Sequence, residues 1–91
     1  MTYRFKTVPS FRRALRGLDP RQKAAAKQTF VIFKQNPFDP RLRPHKIHRL
    51  SAEYGVTIHE VCIEGDLRVV FYVEADTVWS VDVGTHAIYR P

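Results

Sequence analysis

The 91-residue sequence predicts an α+β domain in which a strand and two helices precede an antiparallel meander. Three observations carry that expectation. Tyr3–Val8 alternates with the period of a strand, and two helix-start signals follow, at Pro9 and at Asp19. Further along, three apolar, β-branched runs are separated by two-residue turn sequences.

In the first strand, Tyr3, Phe5 and Thr7 alternate with Arg4, Lys6 and Val8. Pro9-Ser10 opens a helix with Ser10 as the expected N-cap, and Phe11, Leu15 and Leu18 follow at i, i+4 and i+7. Asp19-Pro20-Arg21-Gln22 starts a second helix. Asp19 suits the cap, Pro20 lacks only an N–H that the first helical position leaves unpaired, and Gln22 stands where its side chain reaches back to the cap. Ala26, Phe30 and Phe33 form its apolar stripe, and Pro37 ends it by disfavouring helical backbone at Asn36. Residues 37–49, with three prolines, read as an extended basic connection. Strands are expected at Val56–Glu64, Leu67–Glu74 and Thr77–Val83, with Gly65-Asp66 and Ala75-Asp76 as hairpin loops.

Two-residue loops pair Glu64 with Leu67 and Glu74 with Thr77. One sheet face then carries His59 and Val61 with Arg68, Val70 and Tyr72; the other carries Glu60 and Cys62 with Val69 and Phe71. The helices are expected on the Val69/Phe71 side, leaving the Arg68, His59 and Tyr72 face partly open. A slip of one residue exchanges the sets.

Charge is distributed unevenly. Residues 1–49 hold thirteen basic and two acidic side chains, a balance of +11, whereas residues 50–91 hold two and seven, a balance of −5. So few acids among so many cations imply self-repulsion that a polyanionic partner relieves. The length allows one domain over residues 1–91, and 44% hydrophobic content excludes a disordered basic tail. Apolar runs such as Phe30–Phe33 and Val69–Val73 are far short of a membrane span. The opening MTYRFKTVPSFRR lacks the apolar core of a signal peptide, and a single cysteine, Cys62, makes no internal disulfide. A reducing cytoplasm is the expected location.

No contiguous catalytic motif is present, and the chemistry-bearing residues are scattered. His86 leaves the last strand, followed by Tyr89 and Arg90; it reads as an ordinary loop histidine or as a proton donor or acceptor near neutral pH. His45 and His48 sit in the basic connection, but no further ligands at suitable spacing support a metal site. Arg68 interrupts an apolar strand and needs a partner, either a salt bridge to a neighbouring strand or a phosphate held in its guanidinium fork. Asp66 precedes it in a turn, where Asp is common for turn reasons alone. Cys62 reads as a core thiol without a role.

The order and spacing of F-x3-L-x2-LD, FKQNPFDP, HKIHRLS, GDLRVVFYVE and VDVGTHAIYR resemble the RelE/ParE superfamily of toxins from type II toxin–antitoxin pairs. The resemblance implies two helices against a curved antiparallel sheet. It further implies that RelE-, YoeB- and YafQ-like relatives cut mRNA on the ribosome, whereas ParE-like relatives poison DNA gyrase without a catalytic set. On that basis His48, Asp66 and His86 match a YafQ-like pattern, Arg68 matches the strand arginine used on the scissile phosphate, and Tyr89 falls near the bases or phosphate. Cys62 and Leu67 stand where YafQ-like sequences have histidine and tryptophan.

The expected reaction is metal-independent attack of a ribose 2′-OH on the adjacent phosphate, leaving a 2′,3′-cyclic phosphate. His48 and His86 share the acid and base roles, Arg68 stabilises the phosphate, and Asp66 orients a neighbour. Arg41, Arg43, His45, Lys46, Arg49 and Arg90 are expected to dock RNA. The implied partners are a cognate antitoxin, the ribosome and mRNA, with no cofactor and no membrane. A gyrase-directed toxin without RNase activity and a non-catalytic RNA-binding module are the alternatives.

Overall fold

The computed structural model describes residues 2–85 and 88. Its elements are β1 (Arg4–Thr7), α1 (Pro9–Arg16), α2 (Pro20–Gln35), a 3-10 turn (Pro40–Leu42), β2 (His45–Lys46), α3 (His48–Tyr54), β3 (His59–Glu64), β4 (Leu67–Glu74) and β5 (Thr77–Gly84). The five strands form one sheet in the order β1-β5-β4-β3-β2.

The helical hairpin forms as its local signals dictate. The Asp19 carboxylate accepts from the Gln22 backbone N–H at 2.8 Å, and Gln22 returns the bond to the Asp19 N–H at 3.1 Å. The first helix corrects one expectation: Val8 is its N-cap, and the Ser10 hydroxyl instead donates to the Val81 carbonyl at 3.1 Å, tying α1 to β5. Pro9 already supplies the fixed φ of a first helical residue, so the helix starts one residue before the serine.

The β3–β4 and β4–β5 turns also form as expected, pairing Glu64 with Leu67 and Glu74 with Thr77. Gly65 takes a φ of 49°, in the left-handed region that favours glycine. β3, β4 and β5 form the expected antiparallel meander, whereas β1 runs parallel to β5, so the sheet as a whole is mixed and not antiparallel throughout. Alternation along Tyr3–Val8 fixes which side chains share a face but carries no information about strand direction.

Two bulges revise the faces. Ile63 has no partner between the Cys62–Arg68 and Glu64–Leu67 pairs, and Val81 has none between Phe71–Ser80 and Val70–Asp82. Each extra residue reverses the alternation beyond it. His59 and Val61 therefore share a face with Val69 and Phe71, whereas Glu60 and Cys62 join Arg68 and Val70. Val83 likewise moves to the Val69 face.

The main core lies on that face, where Phe11 and Phe33 meet Val61, Val69, Phe71 and Val78. The Phe33 and Phe71 rings cross edge to face at 5.0 Å. The expected helix side is thus correct. The opposite face is less open than expected, because residues 37–49 are not one extended connection: β2 and the start of α3 lie inside it. Ile47, between β2 and α3, and the α3 residue Leu50 cover a second cluster of Ile58, Val70 and Val81. Ile88 adds to that cover across Gly84, where a Cβ would lie only 2.6 Å from the Ile88 Cγ2.

Candidate functional site

The covered face holds a buried charge cluster that reading residue by residue did not assemble. Glu60, 1% exposed, projects from β3 between two neighbouring strands. One carboxylate oxygen lies 2.6 Å from Nε2 of His45, its direct cross-strand partner on β2. The other accepts a hydrogen bond from Nη1 of Arg68, placed diagonally on β4. Arg68 is also held by its own turn: Nε donates to the Asp66 carbonyl at 3.2 Å, and Nη2 lies 3.5 Å from the Asp66 carboxylate. The Arg68 side chain is 12% exposed. Nδ1 of His45 in turn faces the carbonyl of Arg43 at 3.2 Å.

The bulge at Ile63 is what makes the cluster possible. Strict alternation back from the Glu64–Leu67 pair would put Glu60 among the aromatic rings of the main core, a costly place for a carboxylate. One unpaired residue turns it toward Arg68 instead. The sequence did hold a signal for Glu60: two opposite charges, Glu60 and Arg68, stand in adjacent, largely apolar strand runs. Arg68 thus has the salt-bridge partner that its setting demanded, and Asp66 also contacts it.

Of the other candidates, His48 is exposed in the first turn of α3. His86, Tyr89 and Arg90 lie outside the described residues. The basic residues divide. His45 shares the Arg68 face, whereas Lys46 pairs with His59 in the β2–β3 register and so takes the opposite face. Arg41 is engaged by Asp39 through two bonds, at 3.1 and 2.9 Å. These bonds hold the Asp39 carboxyl below its usual range and raise the Arg41 guanidinium. Arg49 lies 3.7 Å from Glu53 one helical turn on, both exposed. Arg43 adopts a left-handed φ of 50° after the 3-10 turn and is exposed. The Glu60 carboxylate offsets the Arg68 charge.

His59 is the group the revised faces place differently. It stacks on Phe71 at 5.3 Å and meets Phe38 edge-on at 5.0 Å. Burial, and then the charge of Lys46, hold its imidazole below the ordinary value of 6.5. The unfolded chain therefore takes up a proton at higher pH than the folded chain does. Stability contributed by neutral His59 is complete above about pH 6.5 and is lost as pH falls through the folded value. Melting temperatures followed downward from neutral pH should fall more steeply for the wild type than for His59→Phe, which keeps an aromatic ring without the titration; parallel profiles would refute this.

A second surface lies on the helical hairpin. A groove of about 560 Å³ between α1 and α2 has Leu15, Ala26, Phe30 and Val31 along it, with Arg16, Lys23, Lys27 and Lys34 as its polar lining. Val31 is 60% exposed, a large apolar side chain facing solvent between cations. No helix among the described residues is long and apolar enough to cross a membrane.

Comparison with solved structures shows that this architecture is a known fold. The chain has the fold of RelE in the archaeal RelE–RelB complex from Pyrococcus horikoshii, with a TM-score of 0.70 at 19% identity over 93% of this chain and 96% of that one. It is similar to the RelBE2 toxin–antitoxin complex from Mycobacterium tuberculosis, with a TM-score of 0.71 at 20% identity over 94% and 100% of the two chains. The E. coli DinJ–YafQ complex matches with a TM-score of 0.66 at 16% identity over 99% and 100%. No family model and no curated protein matches the sequence. What is shared is the fold, over 93–99% of the chain at 16–20% identity.

Proposed function

We propose that the chain is the toxin of a type II toxin–antitoxin pair and acts as a ribosome-dependent endoribonuclease. The observation that carries this reading is the RelE- and YafQ-like fold over 93–99% of the chain. Exposed cations on the segment that carries His45, among them Arg43 next to the Arg68–Glu60–His45 cluster, support it. These cations dock the RNA backbone, which is a sequence-independent electrostatic task.

In the proposed reaction a base removes the proton of a ribose 2′-OH, and the 2′-oxygen bonds to the adjacent phosphorus. The bond from phosphorus to the 5′-oxygen breaks, and an acid protonates the leaving oxygen. The products are a 2′,3′-cyclic phosphate and a 5′-hydroxyl. His48 and His86 share the base and acid roles. Arg68, oriented by Asp66 and Glu60, supplies fixed positive charge toward the phosphorane. Tyr89 and Arg90 contact the RNA near the scissile bond. No step is assigned to a metal or cofactor.

The cognate antitoxin is the proposed protein partner, in keeping with the RelB and DinJ complexes above. The groove between α1 and α2 suits an amphipathic helix of that antitoxin bearing acidic flanks, since apolar anchors fit its floor and carboxylates its basic rim. Reversing two rim charges, Lys23→Glu with Lys27→Glu, should weaken antitoxin binding at least about tenfold at low salt. The difference should shrink as salt screens the rim. Unchanged affinity would place the antitoxin elsewhere.

Controlled expression in bacteria tests the reading. Growth arrest with mRNAs cut inside codons is the expected outcome. Arrest with cleaved DNA and an SOS response would instead establish the gyrase-directed alternative, and absence of arrest would favour a plain RNA-binding module.

A further inference from the structure

We propose that Glu60 is a positioning residue of the RNA site, holding Arg68 and His45 in one fixed arrangement through the two oxygens of a single carboxylate. The inference rests on the ribonuclease reading given above.

Three features point to positioning and not to solvation of a stray charge. The Glu60 carboxylate is almost wholly buried, yet both of its oxygens are used, and by groups from different strands. The β3 bulge at Ile63 sets its direction, so the backbone itself departs from regular pairing where this side chain must turn. The contacts also continue outward: Asp66 braces the far side of the Arg68 guanidinium, and the Arg43 carbonyl braces the far side of the His45 ring. The chain Asp66–Arg68–Glu60–His45–Arg43 thus links the β3–β4 turn to the basic segment on the sheet edge, with Glu60 at its centre. Glu60 does not need to touch RNA. Its part is to keep a cation and an edge-strand histidine from moving independently when the polyanion docks.

Glu60→Gln is the informative variant. An amide of the same size carries no charge and offers one oxygen and one NH2 in place of two oxygens, so it can no longer accept from both partners at once. The fold should survive, while ribosome-dependent cleavage loses at least about tenfold in kcat with KM nearly unchanged, as expected when binding is kept and orientation is lost. A second readout is spectroscopic. The Arg68 Nε–H resonance, restrained in the wild type, should broaden or exchange faster in the variant. Folded Glu60→Gln protein that cleaves at the wild-type kcat, with an unaltered Arg68 signal, overturns the positioning role and leaves the ribonuclease reading standing. A wild-type protein that cuts no mRNA overturns both. Should Glu60→Gln fail to fold, His45→Gln reports the same chain from its exposed end: a loss in kcat is expected, and wild-type kcat with an unaltered Arg68 signal overturns the proposal.

Discussion

Arg68→Ala is expected to cost about 3–5 kcal/mol of stability, because it leaves a buried carboxylate without its principal counter-charge. Glu60 is 1% exposed and cannot reach water to compensate, and among the described residues His45 is the cation-forming partner that then still faces it. A loss of that size is a large part of the roughly 5–15 kcal/mol that stabilises a domain of this kind. Urea unfolding reads it as a lower midpoint with an unchanged slope. Replacing both charges, Glu60→Leu with Arg68→Met, should recover most of the loss, since the pair is flanked by apolar Val70 and the strand interiors. An Arg68→Ala protein within about 1 kcal/mol of wild type would mean that the ion pair does not hold the sheet as described. The consequence for function is practical: a non-toxic Arg68→Ala protein reports on folding before it reports on catalysis.

His48→Ala and His86→Ala carry the second large effect. Each should lower mRNA cleavage by about 10²–10⁴-fold, the usual worth of a general acid or base. His48 is exposed, and such surface substitutions normally change stability by less than about 0.5 kcal/mol, so its loss of activity should come without loss of fold. If the two histidines act as a pair, the double variant should be little worse than the worse single one. His86 is assigned from its place in VDVGTHAIYR and lies outside the described residues, which makes its variant the sharper test of the resemblance. A folded, fully toxic His86→Ala protein would remove it from the mechanism.

The parts of the fold that were legible in the sequence are those decided locally. Asp19, Pro20 and Gln22 specify a helix start within four residues, and the structure contains the reciprocal bonds they imply. Gly65-Asp66 and Ala75-Asp76 set the strand pairs beside each turn for the same reason. What failed was decided at a distance. An unpaired Ile63 or Val81 looks like any other strand residue, since a bulge depends on what both faces must bury, and one such residue reverses every side chain beyond it. The direction of β1 was hidden because its partner β5 lies some seventy residues on. In α3, three prolines just upstream outweighed Leu50 and the stop at Gly55, which takes a left-handed φ of 72°.

The candidate site follows the same division. Arg68 was visible as a charge that needed a partner, and the bulge concealed that Glu60 is that partner. The basic connection was visible as a run of cations. Only the strand geometry separates His45 from Lys46, and only the side-chain contacts show Arg41 engaged by Asp39. The +11 balance therefore overstates what is available to RNA on any one face.

The central claim is tested most directly by incubating the purified chain with a defined mRNA, with and without translating ribosomes, and mapping the ends of the fragments. Cleavage inside codons, confined to the ribosome-containing reaction and leaving 2′,3′-cyclic phosphate ends, is the predicted result. Intact mRNA in both reactions, from a folded protein that arrests growth, would contradict it.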